Sequence, residues 1–180
     1  MRPSVMRLAA AVLAAFGILA SFAPTHAPVA ATTSYPRMIW PSTGRITQPY
    51  GCTGFRYEPQ RGDCKHFHLG IDVADDRGTR IRAMADGVVV HVGLDPFMSG
   101  PYRSWTVVIR HGNGVRTFYA HLQKKSVAGA GEGARVVKGQ KIGYMGSTGL
   151  STGVHIHFAV IEDHKWVNPG RFLTTDAPIR

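Results

Sequence analysis

Short apolar runs broken by glycine constrain this chain more than any other feature. DGVVVHVG at 86–93 and WTVVIRHGNGVRTFYAHL at 105–122 alternate apolar and polar residues, rich in β-branched and aromatic side chains. That period of two belongs to strands. Asn113-Gly114 divides the second stretch into two strand-like runs, a strong hairpin signal because both turn positions tolerate left-handed backbone. VVKGQKIGYMG at 136–146 adds a further strand after a Lys-Gly turn. No window offers three turns of amphipathic helix, and no repeat of fixed period is visible. The expected fold is mainly β and mostly antiparallel, a sandwich or rolled sheet.

The ends read differently. Arg2 and Arg7 precede the apolar run LAAAVLAAFGILASFA from Leu8 to Ala23, and small residues follow, with Val29 and Ala31 in small-x-small spacing. Residues 1–31 thus read as a signal peptide cleaved after about Ala31. The alternative, an uncleaved anchor, needs about 20 apolar residues, and the run is shorter and alanine-rich. Residues 32–44, polar with prolines and no period, read as a linker. The domain is placed at 45–173 and a C-terminal tail at 174–180.

Cleavage would remove two arginines and no acidic residue, lowering the formal net charge from +10 to about +8. Nucleic acid is the first partner such a charge suggests. Here the basic residues are scattered singly, with only Lys124 and Lys125 adjacent in the mature chain, and no basic helix appears. An exported basic protein fits an anionic polymer outside the membrane, such as a cell wall. No nucleic-acid partner and no stable membrane insertion after cleavage are expected, and the chain is expected to be monomeric. Cys52 and Cys64 bound the turn-rich stretch GCTGFRYEPQRGDC. Oxidising compartments favour a disulfide between them. Zinc binding by the two thiolates is the alternative, at a spacing that matches no common zinc finger.

The chemistry concentrates in histidines. STGVHIHFAV at 151–160 has strand character, so His155 and His157 share one face, about 6.5 Å apart. Such a pair can be a core feature, a metal site or an acid/base pair. In HFHLGIDVAD at 66–75, His68 and Asp72 would be about 13 Å apart on a straight strand. Sharing one ion requires a bend, which Gly70 permits. His68, Asp72 and one of His155/His157 would give three N/O ligands and an open position, the form of catalytic rather than structural zinc. The other histidine would then project into the same cleft, and His121 in TFYAHLQ adds a third imidazole for proton transfer. No His-Glu-x-x-His supplies a glutamate base. His91, His111 and His164 read as structural or exposed.

HLGID at 68–72, YAHL at 119–122 and HIHF at 155–158 together resemble the lysostaphin-type zinc endopeptidases that cut peptidoglycan peptides. AMADGVVVHVG at 83–93, GARVVKGQKIGYMGSTGLSTG at 133–153 and WVNPGRFL at 166–173 resemble the family's scaffold. The resemblance implies a strongly bent antiparallel sheet crossed by a groove. It implies one zinc held by His68, Asp72 and His157, with His121 and His155 as catalytic histidines that do not bind it. It also implies a peptidoglycan substrate and a secreted, periplasmic or wall-associated location. The Cys52–Cys64 loop departs from the simpler glycine-tyrosine run of many members. It leaves His66, in a second His-x-His, as either solvated or groove-lining. Tyr119, on the strand face expected for His121, is either a groove residue or part of the core.

Overall fold

The computed structural model describes residues 37–124 and 131–174. The chain divides into two units, Met1–Thr32 and Thr33–Arg180, and all described residues belong to the second. The proposed signal peptide, residues 32–36 of the proposed linker and residues 175–180 of the proposed tail lie outside them. No helix among the described residues is long and apolar enough to cross a membrane.

The twelve strands are β1 (Arg45–Gln48), β2 (Gly51–Cys52), β3 (Phe67–His68), β4 (Ile71–Ala74), β5 (Arg80–Arg82), β6 (Gly87–Leu94), β7 (Trp105–Arg110), β8 (Val115–Leu122), β9 (Arg135–Val136), β10 (Lys141–Tyr144), β11 (Ile156–Glu162) and β12 (Lys165–Val167). Two short 3₁₀ turns are the only helical elements among the described residues. The fold is therefore mainly β, as the glycine-broken runs predict. The main sheet has the order β1-β4-β11-β8-β7-β6-β9, with β12 added to β11, and every pairing in it is antiparallel. β5–β10 and β2–β3 form separate two-stranded sheets.

Asn113 and Gly114 both have positive φ, 56° and 72°, and make the β7–β8 hairpin foreseen from their identities. One face of the main sheet contributes Val73, Val107, Ile109, Tyr119, Ile156, Phe158 and Val160 to the principal core, which Ile81 of β5 and Ile142 of β10 complete from the other side. The opposite face carries a smaller cluster of Val108, Phe118, Ala120 and Ala159 under Trp166. The sheet is thus covered on both faces near the site.

The linker reading fails for residues 38–42. Met38 is fully buried and bridges Leu173, Ile39 N–H donates to Met84 O, and Trp40 stacks edge-on against Phe158. Three consecutive apolar side chains between prolines dock as an extended segment without any period to announce them. Cys52 and Cys64 are joined in a disulfide, with Cα atoms 5.4 Å apart. The loop it closes packs beside the site described next.

Candidate metal centre and groove

β4, β11 and β8 are consecutive in the main sheet, and their register sets the site. Asp72 faces His157 across the β4–β11 ladder, and His157 faces Ala120 across β11–β8. His68 arrives from the separate β2–β3 pair. The bend between β3 and β4 falls at Leu69-Gly70. Gly70 serves here by close approach: an added Cβ would lie 2.5 Å from Phe158 O and 2.7 Å from the His157 ring. The bend removes the straight-strand separation, bringing His68 Nε2 to 3.1 Å from Asp72 Oδ1.

Three atoms converge: His68 Nε2, Asp72 Oδ1 and His157 Nδ1, with both nitrogens 2.9–3.1 Å from the oxygen and 2.9 Å from each other. Among the described residues, these form the group able to hold a metal ion. The tautomer of His68 follows from its other nitrogen, which donates to Pro49 O at 3.0 Å. Neutral His68 therefore presents a lone pair at Nε2, aimed at a carboxylate oxygen and a second imidazole nitrogen. Three electron-pair donors around one point suit a cation and leave too few protons to satisfy one another. The ligand atoms of a tetrahedral zinc would lie about 3.3 Å apart, a few tenths of an ångström wider than here. The donor set fits a borderline divalent metal.

Electrostatics agree. Burial alone would raise the Asp72 carboxyl, but the His157 and His68 imidazoles against it outweigh that and hold the group well below the usual carboxylate range. For His68, burial opposes protonation, yet contact with the Asp72 carboxylate raises its pKa on balance.

Two more imidazoles border the same space. His121 Nδ1 donates to Thr148 O at 2.7 Å and His155 Nδ1 to Gly153 O at 3.0 Å. Both therefore turn a lone pair at Nε2 away from those carbonyls. Their rings lie 4.6 Å apart, and His155 Nε2 is 3.6 Å from Asp72 Oδ2. Burial, with His157 and His155 close by, pulls the His121 pKa down to about 4, so it is neutral at pH 7. His121 has φ +60°, which breaks the strand alternation and frees its side chain from the inward face.

That break corrects one expectation. Tyr119 does not line the groove: it is fully buried in the principal core, and its hydroxyl accepts from Met84 N–H at 2.9 Å. Being two residues from His121 does not place it on the same face, because the backbone turns over at His121. His66 donates from Nδ1 to Glu58 O at 3.1 Å, a tie from just beyond the disulfide loop back to it, and it borders neither cavity of the site. His91 and His111 are engaged elsewhere, with Leu94 O and with Asp86 O and Thr117, while His164 is exposed in the β11–β12 turn.

The sequence reading missed Glu58. Its carboxylate lies 4.0 Å from His68 Nε2, and burial raises its pKa. The available signal was its place in the loop between the cysteines, which holds one other acid, Asp63. Also missed was an apolar wall. A cavity of about 400 Å³ beside His121 and His157 is lined by Phe55, Phe97, Phe118 and Trp166, among others. Phe97, Phe118 and Trp166 stack pairwise with ring centres 5.4–5.8 Å apart. A second cavity of about 70 Å³ holds Asp72, His121, His155 and His157. The two form one groove over the face of the main sheet, polar at the histidines and apolar beyond.

Comparison with known proteins agrees with this geometry. The DD-carboxypeptidase/endopeptidase Mpg of Neisseria meningitidis is 43% identical over 125 residues, 69% of this chain and 26% of the relative. Peptidoglycan DD-endopeptidase ShyA of Vibrio cholerae is 42% identical over 101 residues, 56% of this chain and 22% of the relative. Murein hydrolase activator NlpD of Salmonella typhimurium is 33% identical over 156 residues, 86% of this chain and 34% of the relative. The matched region is thus about a quarter to a third of these relatives' length. A zinc-containing peptidase from Vibrio cholerae superimposes with a TM-score of 0.57 at 30% identity, covering 74% of this chain and 38% of the other. The catalytic domain of lysostaphin from Staphylococcus simulans does so with a TM-score of 0.57 at 26% identity, covering 72% and 91%. Residues 66–169, which carry all five histidine and aspartate positions of the site, match Peptidase family M23, and the chain belongs to that family.

Proposed function

We propose that this chain is an exported zinc metalloendopeptidase that hydrolyses peptide bonds in the stem peptides or cross-bridges of peptidoglycan. The observation that carries the reading is the convergence of His68 Nε2, Asp72 Oδ1 and His157 Nδ1 beside two further imidazoles with free Nε2 lone pairs. His68, Asp72 and His157 would hold the metal. When bound, zinc supplies Lewis acidity that polarises the scissile carbonyl and makes the attacking water more acidic. His155 would take a proton from that water at Nε2 and return it to the departing amine, with Asp72 Oδ2 close enough to stabilise the imidazolium. His121, neutral at pH 7, would orient the water or the developing oxyanion through Nε2. The apolar wall would seat the methylene or methyl groups of the peptide and exclude bulk water from the reacting bond.

A second reading, a wall-binding activator with an idle site, is favoured by the likeness to the murein hydrolase activator over most of the chain. The filled histidine positions favour turnover. Mass spectrometry of fragments released from purified cross-linked peptidoglycans separates the two. The peptidase reading expects new stem-peptide or cross-bridge ends, abolished by a chelator and restored by zinc. Absence of any new end with zinc-loaded protein would favour the activator.

A further inference from the structure

The face of the main sheet that carries His157 continues beyond the metal centre. Along β11, His157, Ala159 and Ile161 point to the same side. Their partners on β8 are Ala120, Phe118 and Arg116. Arg116 faces Arg110 on β7, Arg110 faces Val88 on β6, and Val88 faces Arg135 on β9. Cross-strand partners project on one side, so three arginines lie in a single row across four strands. At about 4.8 Å per strand the row is about 14 Å long, and it lies four residues, about 13 Å, from His157.

Two like charges directly opposite each other on neighbouring strands are unfavourable unless an anion is shared between them. Yet none of the three arginines makes an ion pair or side-chain hydrogen bond among the described residues. Arg110 and Arg116 both line a cavity of about 210 Å³, and Arg110 and Arg135 both line the cavity next to it. The first is walled by two turns that lock together: Asp163 N–H donates to Gly114 O at 3.3 Å, and a Cβ on Gly114 would overlap the Asp163 carboxylate. Asn113, Gly114, Asp163 and His164 all hold positive φ there. Asp163 lines this cavity without pairing with an arginine, and Asp86 beside the second is occupied by the Lys138 N–H.

We propose that Arg116, Arg110 and Arg135 form an oxyanion-binding row that holds an anionic wall polymer by its repeated carboxylates or phosphates, at a distance from the metal centre. The proposal rests on the wall-polymer reading above, but it concerns adhesion and needs no turnover. The row crosses the strands, so a polymer lying on it would present neighbouring segments to the groove four residues away. Holding the polymer there raises the local concentration of cleavable bonds.

The test is co-sedimentation of the full chain, with a chelator present so that nothing is cut. The probes are insoluble peptidoglycan, the same material with its carboxylates amidated, and immobilised poly(glycerol phosphate). An Arg110→Gln/Arg116→Gln/Arg135→Gln variant should bind about tenfold more weakly, as expected for three exposed ion pairs. Loss confined to unmodified peptidoglycan assigns carboxylates, and loss on poly(glycerol phosphate) assigns phosphates. Arg45→Gln/Arg77→Gln/Arg80→Gln, exposed residues that change net charge equally, should keep affinity within about twofold. A lysine triple variant at 110, 116 and 135 should bind far better than the glutamine triple, which separates lost charge from lost folding. Equal weakening by the two glutamine triples, or wild-type affinity in the first of them on both wall polymers, would overturn the proposal. Either result leaves the peptidase reading standing, because the fragment analysis does not depend on this row.

Discussion

Neutral imidazole is the currency of this molecule at the residue scale, and His111 shows it away from the metal centre. Its Nδ1 donates to Asp86 O at 2.6 Å, and its Nε2 accepts from Thr117, whose neighbour Tyr119 completes a buried chain to the Met84 amide. Burial lowers the His111 pKa below its ordinary 6.5. The unfolded chain therefore binds more protons than the folded one as pH falls through 6.5. The neutral ring's contribution is complete above that value and is lost below it. His121, lowered to about 4, adds to the same slope. His111→Gln should be less stable than wild type near neutral pH but lose less stability between about pH 7 and about pH 5.5. Thermal unfolding at the two pH values checks this, and parallel losses in both proteins would refute it.

At the scale of elements, the site depends on how β3 and β4 meet. Gly70→Ala should push its methyl against Phe158 O and the His157 ring, destabilising the fold by about 1–3 kcal/mol through overpacking. It should also weaken metal binding. Equilibrium unfolding together with zinc titration reads both effects, and wild-type values in both would contradict the packing argument. The disulfide loop is the second element at stake. In the chain-entropy model a loop of this length contributes about 3 kcal/mol, so reduction should lower stability by that order, measurable by denaturant unfolding with and without reductant. Much of this was legible in sequence: the His-x-His alternation, the His68–Asp72 bend and the Asn-Gly hairpin are local signals with local causes. Tyr119 stayed open between groove and core because the positive φ of His121 interrupts a period that the sequence shows as continuous. Met38, Ile39 and Trp40 looked like linker because a docked extended segment has no period of its own. The arginine row was invisible for another reason. Arg110, Arg116 and Arg135 align only through register across four strands, and register is a tertiary property.

For the whole molecule, one face of the main sheet carries the candidate metal centre, the apolar wall and the row of arginines in succession. Export fits the family and the apolar N-terminal run, and it is part of the proposal made for this chain. The central claim is that His157 holds zinc while His155 moves protons, although they sit two residues apart on one strand. Zinc content measured beside cleavage rate on cross-linked peptidoglycan, for His155→Ala and His157→Ala in parallel, tests it most directly. His157→Ala should lose both metal and turnover, as should His68→Ala and Asp72→Ala. His155→Ala should keep about one zinc per chain and lose about 10²- to 10⁴-fold in rate, the usual contribution of a general acid–base group. Loss of zinc from His155→Ala with retention in His157→Ala, or full activity in both, would contradict the account.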